Sequence, residues 1–125
     1  MSAVERLVIT ADVDDGAAHG EQVSVRARMD AVLADGRWIV LLDDRGWGST
    51  QTWASISAND VEETTRTAIG PDEPAAGRSV EQSTTDHWTH IARILLSNGV
   101  PVDPGRLRAL PCGFVMSERL AARVR

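Results

Sequence analysis

The strongest constraint in this chain is an alternation that runs from residue 21 to residue 33 and resumes beyond an Asp-Gly pair. Val23, Val25, Ala27, Met29, Ala31 and Leu33 are apolar, and Gln22, Ser24, Arg26, Arg28 and Asp30 fill most of the positions between them. Successive side chains on a strand point to opposite faces, so the segment is a long strand with one buried and one wet face. Asp35-Gly36 suits a two-residue type I′ turn, which needs positive φ at both central residues, and residues 37–42 supply the return strand. In that register Leu33 faces Trp38, Ala31 faces Val40 and Met29 faces Leu42. A slip of one residue would move the whole apolar set into water, which makes this hairpin the frame for everything else.

Residues 4–13 repeat the pattern, with Glu5, Leu7, Ile9, Ala11 and Val13 on the expected core face. Residues 14–20 are polar and glycine-containing, a loop. After Leu42 the run Asp43-Asp44-Arg45-Gly46-Trp47-Gly48 reads as an acidic loop, and residues 49–54 as a short fourth strand. Helices follow. Ser57 can cap a helix ending at Gly70-Pro71 by accepting from the Asp60 N–H, with Ile56 and Val61 placed as a hydrophobic staple. Residues 71–78 form a loop. Ser79 with Gln82 opens a helix to Asn98-Gly99, on which Trp88, Ile91, Ala92 and Leu95 share one stripe while Asp86, His90 and Arg93 lie opposite. Asp103-Pro104 starts a short helix through Leu110 before Pro111, and residues 114–123 make a last helix with Leu120 and Val124 inward. Strands first and helices after predict one α+β domain over residues 1–125: an antiparallel four-stranded meander in the N-terminal half, packed on one face by three to four C-terminal helices.

At 125 residues and 13.5 kDa the chain can bury a core without a disulfide or metal. The single cysteine, Cys112, excludes a disulfide framework within the chain and points to a reducing compartment; with no signal-peptide core and no apolar run of membrane-spanning length, the expected location is the cytoplasm. The net charge of −5 and pI near 5.1 argue against nucleic-acid binding, which needs a basic field, and favour a basic partner. All 13 cationic residues are Arg, a composition typical of GC-rich bacterial coding sequence.

Few residues have the spacing that chemistry needs. His87 and His90 are three apart on a helix and could reach one metal, with Asp86 beside them; two solvated histidines is the alternative. Cys112 could act as a nucleophile with either histidine as base, or be a small buried hydrophobe. Gly46 and Gly48 lack the setting of a phosphate loop, and Arg26 and Arg28 on the wet sheet face could bind an anion or pair with carboxylates. No metal, cofactor, nucleic-acid or membrane partner is expected. What remains is a surface: Asp43, Asp44, Trp47, Glu62 and Glu63, an aromatic anchor among carboxylates, suited to docking on a basic cleft. The same residues could instead stabilise a turn, offset a helix dipole and fill the core.

The segments WIVLLDDRGWGS, IGPDEP, DHWTHIARILLSNGV, LRALP and FVMSERL, spread over residues 37–123, resemble small bacterial immunity proteins of contact-dependent and polymorphic toxin systems. The resemblance implies a non-enzymatic cytoplasmic inhibitor that binds a cognate toxin domain, and it carries no site residues over. Two other classes stay open: a small metal- or thiol-dependent enzyme using His87, His90 and Cys112, and a structural subunit that forms a homodimer through an open sheet edge or exposed tryptophans.

Overall fold

The computed structural model describes residues 3–14 and 22–124. The elements run β1 (Val4–Val13), β2 (Gln22–Leu33), β3 (Trp38–Thr52), a 3-10 turn (Trp53–Ser55), α1 (Ala58–Ile69), α2 (Val80–Ser97), α3 (Pro104–Ala109), β4 (Cys112–Met116) and α4 (Glu118–Ala121). The expected loop over residues 14–20 lies outside the described residues except for Asp14, as does Glu21.

The strands form one sheet in the order β3-β2-β1-β4. β1–β2 and β2–β3 are antiparallel, as expected of a meander, but β4 runs parallel to β1. The fold is therefore α+β with a mixed sheet, and the antiparallel four-stranded meander is corrected. Residues 49–52 belong to β3, which ends in the 3-10 turn; the fourth strand is residues 112–116, where the start of a helix was expected. Pro111 explains the change locally. It cannot continue α3, and its carbonyl accepts from the Leu7 N–H at 2.9 Å, so the segment enters the ladder beside β1. Five regular pairs follow, from Leu7 opposite Cys112 to Ala11 opposite Met116.

β2 keeps its expected faces: Val23, Val25, Ala27, Met29, Ala31 and Leu33 are all buried. The turn after it differs from the two-residue expectation. The Gly36 N–H donates to Leu33 O and the Leu33 N–H donates to Arg37 O, both at 2.9 Å, which closes a three-residue loop. Gly36 takes φ +90°, and no described non-glycine residue has positive φ, so Asp35 cannot occupy a type I′ site. Near the turn the register is one residue off: Val32 pairs with Trp38, Ala31 with Ile39 and Asp30 with Val40, leaving Trp38 and Val40 exposed on the outer face. An extra residue at Leu41 then restores the phase, so that Met29 does face Leu42, and both leucines are buried. A similar irregularity in β1 lies between Val4 and Arg6; it turns Val4 into the core and sends Glu5, expected inside, to solvent.

The helices lie on the inner face. Ile69, Ile91, Ala92, Leu95, Val100 and Leu107 pack on Leu7, Ile9, Met29 and Leu42. A second cluster joins Val61, Ile56, Trp53 and Leu120 to Ala11, Val13, Val23 and Val25, with Phe114 touching both clusters. The capping expectations hold for α1 and α2: both carry complete capping boxes, Ser57 with Asp60 and Ser79 with Gln82. α2 ends as a glycine-stopped helix should. Val100 N–H donates to Leu95 O, Gly99 N–H to Leu96 O, and Gly99 has φ +80°. The histidine placement is a correction, because His87 is only 8% exposed and joins Ile91 and Leu95 on the buried side of α2, with Trp88 partly buried beside it.

Candidate functional site: an acidic rim on the third strand

Between Met29–Leu42 and Ala27–Arg45 the ladder shifts again, so Asp43 and Asp44 together oppose Arg28. Two residues facing one make a bulge, which bends the strand and turns both carboxylates outward. Both are exposed. Asp43 borders a shallow depression of about 350 Å³ on the outer sheet face, beside Thr10, Asp12, Arg26 and Arg28.

Arg45 gives the rim its base. It sits on the inner face opposite Ala27, where its guanidinium donates to the carbonyls of Ala68 and Gly70, at 3.2 and 3.4 Å, and to Asp72 at 3.0 Å. A cation at the C-terminal end of α1 meets the negative end of the helix dipole, so the contact is favourable beyond its hydrogen bonds. Asp44 lies 3.9 Å from the same guanidinium. The side chains of Asp44 and Asp72 are 83% and 77% exposed, so Arg45 holds them together without neutralising them against solvent. Glu73 borders the adjoining hollow of about 300 Å³ with Arg45, Asp72, Arg78, His87 and His90.

The other expected members of the surface lie elsewhere. Trp47 points inward under α1, packed against the second core cluster, and its indole N–H donates at 3.0 Å to the hydroxyl of Thr65, which is fully buried. Trp53 is also buried, with Arg123 over its ring. Glu62 pairs with Arg66 at 3.0 Å, and Arg66 reaches across to the Cys112 carbonyl in β4, at the opposite edge of the sheet. Glu63 accepts from Asn59 one turn earlier on α1. The structure thus sets Asp43 and Asp44 side by side and brings Asp72 to Asp44 through Arg45, with Glu73 on the adjoining hollow, while Trp47 turns inward and Glu62 pairs with Arg66. Nothing in the spacing of residues 70–73 announced this, because the meeting depends on Arg45 crossing to the end of α1.

The chemical candidates stand as follows. His87 and His90 border the same hollow, and burial, reinforced by Arg45 and His90, pushes His87 below its ordinary pKa, with Asp72 opposing. Its neutral form is favoured. Among the described residues no group of three or more His, Cys, Asp or Glu side chains is arranged to hold a metal ion. Cys112 is partly buried in β4, and burial raises its thiol against the lowering influence of Arg66, so the thiolate a nucleophile needs is disfavoured at neutral pH. On the outer sheet face Arg28 pairs with Asp30 at 2.9 Å, along its own strand and not across to a neighbour. No described helix is long and apolar enough to cross a membrane.

Comparison with protein families, with curated proteins and with solved structures found no match to the chain, and no enzyme family is indicated.

Proposed function

We propose that the chain is a cytoplasmic binding protein of the immunity type, which neutralises a basic toxin domain by occupying its cationic cleft with the rim formed by Asp43, Asp44, Asp72 and Glu73. The observation that carries this reading is the pair of consecutive carboxylates lifted out of β3 by a bulge, the second of which, Asp44, shares the Arg45 guanidinium with Asp72. Carboxylates fixed on a rigid strand can stand where nucleic-acid phosphates would sit, and their field accelerates encounter with a basic surface. The arrangement costs little on binding because Arg45 is already anchored to the end of α1. Trp47 has no part in the contact, since its indole belongs to the packing under α1.

The test is association with a basic toxin-like domain encoded beside this chain. Charge reversal at Asp43 and Asp44 is expected to slow association by about tenfold at low salt and to flatten its salt dependence. Stopped-flow or surface-based kinetics at two ionic strengths measure both. Association that is unchanged by the reversal removes the proposal.

A further inference from the structure

The geometry points to β4 as the seam of a homodimer, in which two copies of the chain pair β4 with β4 in antiparallel fashion about a two-fold axis at Phe114. The proposal uses a different surface from the acidic rim, so either can fail without the other.

β4 ends the sheet, and no described strand pairs with its outer side. Its ladder with β1 fixes which backbone groups point outward. Leu7 donates to Pro111 O and Ser117 donates to Ala11 O, so residues 111, 113, 115 and 117 bond toward β1 and Cys112, Phe114 and Met116 face away from the sheet. Of these outward groups, the Cys112 carbonyl accepts from Arg66 at 3.1 Å. A row of unsatisfied strand groups is a template for another strand unless something blocks it.

Nothing within β4 blocks it. The sequence Cys-Gly-Phe-Val-Met has no charge and no proline, and its pairing with β1 has no register shift. Two copies of a chain with net charge −5 repel each other, and an uncharged strand is where they can meet without opposing like charges. An axis at Phe114 is the natural register. It makes Phe114 pair with its own copy and Cys112 with Met116 of the other copy, so each outward N–H and C=O finds a partner. The Cys112 carbonyl has two lone pairs, so Arg66 can stay. On the outer face Val115, 52% exposed, comes to lie beside Gly113 of the other copy, where no described atom lies within 4 Å of a side chain's first carbon. Val115 thereby loses solvent contact over a glycine that carries no side chain of its own.

Light scattering or sedimentation over a concentration series tests the seam. The wild-type mass is expected to rise toward twice that of the chain. Val115→Lys adds an edge charge without touching the core, so it is expected to raise the dissociation constant at least about tenfold, with the melt of the dilute monomer unchanged. Register has its own test. Met116→Cys places a thiol opposite Cys112 of the other copy, about 5.5 Å between Cα atoms in such a pair, and mild oxidation should yield a covalent dimer that wild type does not form. A wild-type monomer at all concentrations, a dimer indifferent to Val115→Lys, or crosslinking of wild type as strong as that of Met116→Cys would each overturn the proposal.

Discussion

The two edges of the sheet solve the same problem differently. β3 is long, broken by register shifts and studded with Asp43, Asp44 and Arg45, and it is tied to α1 by Arg45 and by Trp47 on Thr65. β4 is short, regular and uncharged, and its polar link to α1 among the described residues is the arm of Arg66 to the Cys112 carbonyl, beside the ring contact between Arg66 and Phe114. Bulges and charges discourage a further strand from adding to an edge, whereas a flat apolar edge invites one. The same devices that close β3 to another strand produce its exposed carboxylates. One edge therefore suits a charged, side-chain contact and the other a backbone contact.

The largest effect that separates the edges should come from Trp47→Ala. It empties a half-buried indole site under α1 and leaves the buried Thr65 hydroxyl without its donor, and a loss of about 3 kcal/mol is expected by chemical denaturation. If the β3 side were held only by its ladder, the loss would fall below about 1 kcal/mol.

Next in size is Arg45→Met, which keeps the stem but removes the donor to Ala68 and Gly70 and the partner of Asp72. About 1–2 kcal/mol should be lost, with faster amide exchange at the end of α1 and little change in β4. Exchange that rises equally at both edges would mean that the two sides are one cooperative unit.

The smallest effects are in pH, and they separate the edges by sign-defined windows. His87, behind the β3 edge, has a lowered folded pKa, so protonation is harder in the fold than in the unfolded chain. Stability on that side should fall as pH drops below about 6.5. Asp12 works at the other edge. It accepts from Arg119 and from Ser117, just past β4, and these bonds, Arg119 foremost, hold its carboxyl well below the usual range. Its contribution is present above the unfolded carboxylate pKa of about 4 and is lost as pH falls further, through the folded value. Amide exchange measured from pH 7 to pH 3 should loosen the α2–β3 side first and the end of β4 later; Asp12→Asn should remove the second step and cost under about 1 kcal/mol at neutral pH, because the pair is partly exposed.

How much of this was legible follows from the range of each signal. The inner face of β2, the Ser57 and Ser79 caps and the Gly99 stop depend on residues within a turn or a strand of one another, and all were readable. The reverse turn was recognised at Asp35-Gly36 but its length was not, because Gly36 alone meets the positive-φ requirement and the ladder decides where the loop closes. Glu5 was misplaced for a related reason: strict alternation cannot foresee an inserted residue. Of the residues expected on the surface, Asp43 and Asp44 are exposed side by side on the bulge. Trp47 and Glu62 are near them in sequence, but the Thr65 hydroxyl and Arg66 draw them to other places. The contact of Arg45 with Asp72 and the end of α1 has no local signal, because it exists only once α1 lies over β3.

By itself the sequence determined a half-buried sheet followed by capped helices, because periodicity and capping are local consequences of backbone geometry. The tertiary structure alone decided that residues 43–48 continue a strand and that residues 112–116 become its parallel edge. A five-residue apolar stretch suits helix and strand alike, and the bond from Leu7 to Pro111, formed across most of the chain, is what tips it into the sheet.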